Sequence, residues 1–306
     1  MNSLLETELI LNPDGSIYHL NLLPGDIADN VILVGDPGRV EMVSSLFDSV
    51  EIKKEKREFI THTGNFRGKG ISVISTGIGT DNIDIVVNEL DALANIDIRS
   101  RKVKGSHRKL SIIRIGTCGS VQPDIPVDSF VMSELAIGFD GLLNFYDRRD
   151  EVCNIEFEKA FKNSVGWGNN MASPYVVRAS EILFNRLNGD DMISGVTISA
   201  PGFYGPQGRQ LRLGTADPRL NRKIENFRWN RYRICNYEME CSAIYGLSKL
   251  LGHEAVTVCA VVANRISGTF SKVHEDTILK LINRVLYRLA DSNHEKEGHT
   301  GTYTSA

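Results

Sequence analysis

The sequence predicts an α/β protein, one domain built on a mixed, mostly parallel central sheet flanked by helices. Three observations predict it. Apolar runs of strand length recur along the chain, several are continuous rather than alternating, and amphipathic helical stripes lie between them. Continuous apolar strands suit a sheet covered on both faces, and strands alternating with helices suit parallel connections. At 306 residues the chain has room for one large α/β domain.

The strand runs fall at residues 31–34, 71–75, 112–115, 130–132, 196–200 and 256–262. Ile83, Val86, Val87, Leu90, Leu93 and Ala94 follow the spacing of one helix face, with Thr80 or Asp81 as the expected N-cap. Met239, Ala243, Leu247, Leu250 and Leu251 make a second stripe, which Gly252 should stop. Ile278, Leu281, Ile282, Val285 and Leu289 make a third. No linker or internal repeat divides the chain. Residues 293–306 are polar and aperiodic and are expected to be a frayed tail.

Composition excludes several function classes. The chain is 42% hydrophobic and 24% charged, as in ordinary globular proteins. Thirty-five basic residues against 38 acidic ones leave a net charge of −3, which argues against binding to nucleic acid or membranes driven by overall charge. No apolar run approaches the ~20 residues of a membrane helix, and the acidic N-terminus lacks the signal-peptide pattern. Five widely spaced cysteines without a CxxC argue against a zinc centre or a disulfide framework. Reduced thiols in the cytoplasm are the expectation, with no metal ligands. Two basic stretches, residues 99–109 and 219–233, read as solvated surface.

Six segments carry chemistry. VILVGDPGRV (31–40) runs a strand into a Gly-Asp-Pro-Gly turn, where helix N–H groups and Arg39 suit an anion. TGIGT (76–80) follows another strand, but it lacks the GxGxxG fingerprint of a dinucleotide site. IIRIGTCGSV (112–121) places Arg114 in a buried strand, where either a carboxylate or a ligand must pair with it. Gly116, Thr117, Cys118 and Gly119 then make a small-residue bend where a ligand can approach the backbone. PGFYGPQGRQLR (201–212) is a loop in which Gln207 can read an amide-like edge, Arg209 can neutralise charge and Phe203 can stack. NYEMEC (236–241) opens a helix, or is still extended with Glu238 and Glu240 on one side. A carboxylate there can accept bonds from vicinal hydroxyls. VVANR (261–265) sets Arg265 at a sheet rim.

Together with YHL (18–20) and REF (57–59), these pieces occur in an order that resembles the nucleoside phosphorylase superfamily, and within it the uridine phosphorylases. The resemblance spans about residues 16–290. It implies reversible phosphorolysis of uridine to uracil and ribose 1-phosphate, with phosphate as co-substrate, and leaves the choice between uridine and deoxyuridine open. It implies Gly35, Arg39, Arg114 and Thr117 around phosphate. Arg57 would join them from a neighbouring subunit, and His19 of that subunit would reach the ribose 5′-hydroxyl. Glu238, Met239 and Glu240 would hold the ribose. Cys118, Gly119, Phe203, Gln207, Arg209 and Arg265 would surround the base. A homodimer would be the smallest active unit, in some members assembled into a hexamer. Asn82 falls near a position that helps hold a potassium ion in some members; no other cofactor is implied.

The chemistry needs no side-chain nucleophile, and no Ser–His–Asp or Cys–His pattern supplies one. Arg114, Arg209, Gln207 and Glu240 are the residues expected to carry catalysis. Purine enzymes protonate the ring nitrogen with an acid at the rim of the last strand; Asn264 stands there and cannot donate as an acid. The alternatives are a purine nucleoside phosphorylase of the same fold, a hydrolytic nucleosidase, or a catalytically silent nucleoside-binding protein.

Overall fold

The computed structural model describes residues 3–291; the expected tail at 293–306 lies outside them. In chain order the first half contains β1 (Asn30–Val34), α1 (Gly38–Ser44), β2 (Ser49–Lys56), β3 (Phe59–Phe66), β4 (Lys69–Ser75), α2 (Thr80–Asn95), β5 (Ile96–Asp97), β6 (Lys102–Val103), β7 (Ser111–Ser120) and β8 (Phe130–Gly138). The second half contains α3 (Arg149–Val152), α4 (Ile155–Val165), β9 (Tyr175–Arg178), α5 (Glu181–Leu187), β10 (Ile193–Ser199), α6 (Leu220–Asn226), β11 (Arg228–Trp229), β12 (Tyr232–Glu238), α7 (Cys241–Leu251), β13 (Glu254–Asn264), β14 (Thr269–Phe270) and α8 (His274–Ala290).

All six apolar runs lie in strands of one mixed sheet, ordered β11-β12-β10-β8-β13-β7-β1-β4-β3-β2. Parallel pairs form its centre: β1 with β4 and β7, β13 with β7, and β10 with β8 and β12. Helices cover it, with Val86, Leu90 and Leu93 of α2 and Leu281, Ile282 and Val285 of α8 buried in the same core.

The sheet also closes on itself. β12 pairs with β10 and antiparallel with β7, so β12, β10, β8, β13 and β7 form a ring. At the closure Tyr237 faces Gly119 and Asn236 faces Ser120. The carboxyl ends of β7 and β12 therefore meet there.

Several local expectations are corrected. The N-cap of α2 is Gly79 rather than Thr80 or Asp81, because the backbone there has φ +101°, a region open to glycine. Gly116–Gly119 is not a bend; β7 runs straight through it to Ser120, held by β13 on one side. NYEMEC does not open the helix: Asn236–Glu238 end β12, and α7 starts at Cys241. Met239 consequently precedes the helix whose stripe it was expected to join. Gly252 does stop α7, at φ +81°.

The basic stretches are not simply solvated. Arg101 donates to the carbonyls of Leu5 and Leu9, Arg108 pairs with Asp29, and Lys109 pairs with Glu254. In the second stretch Arg233 holds Asp124 with two nitrogens, Arg231 pairs with Glu134, and Lys223 with Asp217. These cations staple loops to the body of the protein.

Candidate active site

A cavity of about 840 Å³ opens where β1, β4, β7, β12 and β13 end. Gly35, Arg39, Arg114, Thr117, Cys118, Gly119, Phe203, Gln207, Arg209, Glu238, Met239, Glu240 and Arg265 all line it. Residues far apart in sequence thus converge because their strands finish at one place, the usual position of ligands in α/β sheets.

The anion end is built on two arginines. The α1 contribution is smaller than the turn suggests: the helix has seven residues and the Gly38 N–H is already taken by Asp36 Oδ1 at 2.9 Å. Charge comes instead from the Arg39 side chain, which has no ion pair among the described residues. Burial, and then the nearby Arg114 charge, lower its pKa. A dianion between the two would relieve both effects.

Arg114 is paired by the protein itself. Its Nη2 meets Glu240 Oε2 and its Nη1 lies 3.4 Å from Glu238 Oε2. Burial works against its charge, but Glu240 and Glu238 more than offset this and raise its pKa. The extended path through Glu238 sends both carboxylates to one side, as the second reading of NYEMEC required. Glycine at 116 is needed here, since a Cβ would stand 1.8 Å from Arg114 Nη1.

The two carboxylates differ in what they have left to give. Glu238 accepts from the Ser199 hydroxyl and from the N–H groups of Glu240 and Cys241, the latter two at 2.9 Å. It caps α7 and fixes the turn beneath the cavity. Burial, and next the Glu240 charge against the pull of Arg114, raise its pKa. Glu240 accepts one backbone bond, from Gly79 N at 2.8 Å, besides Arg114. Its remaining acceptor capacity suits a diol.

Gly79 belongs to TGIGT, whose role sequence reasoning missed. Gly77 and Gly79 both have positive φ, and the turn delivers one N–H to Glu240 while Ile78 enters the cavity wall. Two glycines flanking one residue after a strand were the available signal. Ser199 and Tyr237 were also missed; an isolated Ser or Tyr in a buried strand carries no signature.

The other end of the cavity is a polar clamp. Gln207 is buried in a short 3₁₀ turn, Gly205–Gln207. Its side-chain oxygen accepts from Arg209 Nη1, which also bonds the Phe203 carbonyl at 2.7 Å. The Arg209 guanidinium lies 3.8 Å from the Phe203 ring centroid. Burial, then the charge of Arg265, push Arg209 down to about 10, so it remains a cation at neutral pH. Arg265 stacks over Tyr237 at 5.6 Å and donates to the Gln207 carbonyl. A register shift in β13 between Val261 and Ala263 aims this rim at the cavity. Asn264 borders the cavity, but its amide is spent. Nδ2 donates to the carbonyls of Gln122 and Ile125, and Oδ1 accepts from Ile266 and Ser267. The Cys118 thiol is buried, and burial raises its pKa.

His19 and Arg57 do not line this chain's cavity. They sit together elsewhere: the Tyr18 ring lies 4.8 Å from the His19 ring and 6.0 Å from the Arg57 guanidinium carbon. Near the position linked to potassium in some members, the Asn82 amide donates to Glu58 Oε1 at 3.2 Å and to the Thr76 carbonyl at 2.9 Å. Among the described residues Asp91, His107 and His253 group like metal ligands. His253 Nδ1 accepts from Leu110 N at 3.2 Å, so its proton is on Nε2, facing Asp91, and no lone pair is left for a metal.

This geometry agrees with the comparisons to known proteins. Residues 29–290 match the family model described as "Phosphorylase superfamily". The chain belongs to the phosphorylase superfamily. It is 31% identical over 284 residues to a uridine phosphorylase of Thermococcus kodakarensis, covering 93% of this chain and 90% of that protein. A DeoD-type purine nucleoside phosphorylase of Caldanaerobacter subterraneus is 28% identical, over 84% of this chain and 92% of that one. Among solved structures, a Trypanosoma brucei nucleoside phosphorylase described as showing uridine phosphorylase activity superposes with a TM-score of 0.84 at 29% identity. That match covers 92% of this chain and 99% of that one. The TM-score shows that the fold, a mixed central sheet flanked by helices, is shared with that structure. Among the described residues no helix is long and apolar enough to cross a membrane.

Proposed function

We propose that this superfamily member is a uridine phosphorylase, cleaving uridine with phosphate to uracil and ribose 1-phosphate. The observation that carries the reading is the division of one cavity into an anion end, Arg39 with Arg114, and a clamp of Gln207, Arg209 and Arg265 at the other, with Glu240 between them. The similarity to curated uridine phosphorylases supports it.

Breaking the N-glycosidic bond builds positive charge on the ribose carbon and negative charge on the departing base. Phosphate gripped by Arg39 and Arg114 is the anion beside that carbon and forms the new C1′–O bond. Glu240, backed by the Met239 backbone segment, accepts the ribose hydroxyls. As the bond breaks, electrons move onto the two uracil carbonyl oxygens, where Arg209 and the Gln207 amide stabilise them. Such preplaced donors act most strongly in a water-poor site. No covalent enzyme intermediate forms. Asn264, fully bonded and without an acidic proton, favours a pyrimidine over a purine leaving group.

His19 and Arg57 act in trans in this reading. They lie outside the lining of their own cavity; in this reading a neighbouring copy supplies them, and the working unit is a homodimer. The five unpaired thiols suit a reducing cytoplasm.

The test is uracil release from uridine with and without phosphate, beside inosine as a second substrate. Release from uridine that requires phosphate, with little from inosine, is expected. Equal release in its absence indicates a nucleosidase, preference for inosine indicates the purine reading, and tight uridine binding without release indicates a silent binder.

A further inference from the structure

Glu89, on α2, is tied to one short stretch of the N-terminal segment. Its two oxygens accept from the backbone N–H of His19 at 3.1 Å each, and Oε2 accepts from Leu20 N at 2.9 Å. Oε1 also lies 2.6 Å from His19 Nδ1. The Glu89 side chain is 13% exposed and that of His19 24%.

A carboxylate receiving backbone N–H groups is an acceptor only. The proton in the 2.6 Å contact therefore belongs to His19 Nδ1. In a neutral imidazole that leaves the lone pair on Nε2, the nitrogen turned away from Glu89. The segment cannot easily rotate to change this. Lys56 Nζ clips it by donating to Asn12 Oδ1 and the Tyr18 carbonyl, and stacks 4.3 Å from the Tyr18 ring centroid.

We propose that Glu89 is a positioning residue for catalysis: it locks the His19 tautomer so that Nε2 accepts a hydrogen bond from the nucleoside 5′-hydroxyl in the neighbouring protomer's cavity. This rests on the reading, implied by the family resemblance, that His19 reaches the 5′-hydroxyl in that cavity; what the structure adds is the hold of Glu89 on its tautomer. The consequence is a chemical demand on the substrate. An acceptor at this point rewards a hydroxyl that can donate and gives nothing to a 5′-deoxy sugar.

Glutamine at 89 inverts the arrangement. It has one oxygen, which the backbone N–H groups of His19 and Leu20 claim, so its NH₂ faces His19 Nδ1 and drives the proton to Nε2. The experiment uses the full-length protein labelled with ¹⁵N-histidine, with His19→Asn to assign the signal, and steady-state kinetics on uridine and 5′-deoxyuridine. Wild type is expected to carry the His19 proton on Nδ1 and Glu89→Gln on Nε2. With Glu89→Gln, kcat/KM for uridine falls about tenfold, mainly through KM, the scale of one hydrogen bond, and 5′-deoxyuridine is cleaved equally by both enzymes. A wild-type His19 protonated on Nε2 overturns the proposal, as does an equal loss on both substrates. Absence of uridine cleavage by wild type overturns the functional reading instead, and the tautomer alone then decides the role of Glu89.

Discussion

Arg114 and Glu240 form an ion pair with side chains only 6% and 4% exposed, and the pair joins the two halves of the proposed chemistry. Arg114 is the residue a phosphate would claim, and Glu240 the residue a ribose would claim. One guanidinium also serves Glu238, so three buried charges sum to one excess negative charge, with the Arg39 guanidinium close by to balance it.

Removing Arg114 strands two carboxylates in a dry site. Arg114→Ala is expected to lose about 3–5 kcal/mol of stability, the range for breaking a buried pair from one side, and about 10²–10³ in rate. Adding Glu240→Gln to it should restore much of the stability and none of the activity. Urea denaturation and uracil release measure the two effects. An Arg114→Ala protein as stable and active as wild type contradicts the assignment.

Among the described residues Arg39 carries its charge without an ion-pair partner, so it is tuned for a ligand rather than for the fold. Arg39→Ala should raise the phosphate KM by tenfold or more and leave stability unchanged or improved. Phosphate at about 100 times its Kd should stabilise the wild-type protein by about 2.7 kcal/mol. Thermal melts of the variant should show little of that shift.

Arg209→Ala should lower kcat by about 10²–10³ with the phosphate KM unaltered. Burial and Arg265 hold this guanidinium at about 10. It is charged throughout the neutral range, so the loss should be equal at about pH 6 and about pH 8, read from initial rates of uracil release. A cation whose pKa is lower folded than unfolded costs stability while charged, and that cost disappears as pH rises past its folded value.

Asn264→Asp introduces the acid that purine cleavage calls for, yet it should not create inosine activity. The new oxygen would face the Gln122 and Ile125 carbonyls now bonded by Nδ2. A loss of about 1–3 kcal/mol is expected, read by denaturation beside an inosine assay. Efficient inosine cleavage by a stable variant would show that Asn264 reaches the base.

The sequence by itself determined the α/β class, the buried strands and part of the cavity lining, such as Arg39, Arg114, Gln207 and Glu240. Those signals are local: a continuous apolar run, a glycine turn, or an Arg in a strand has the same meaning in any fold. Tertiary structure alone decided how they combine. The ring closure pairing Tyr237 with Gly119 turned NYEMEC from a helix start into a strand end. The antiparallel β2–β3 hairpin was not read at all, because its exposed, lysine-rich first strand lacks an apolar run. Whether Arg114 waits for a ligand or already has partners depends on carboxylates more than 120 residues away, and TGIGT acquired its role from the same source. Pairing across such separations is fixed by how strands close around a core, and no single stretch of chain encodes it.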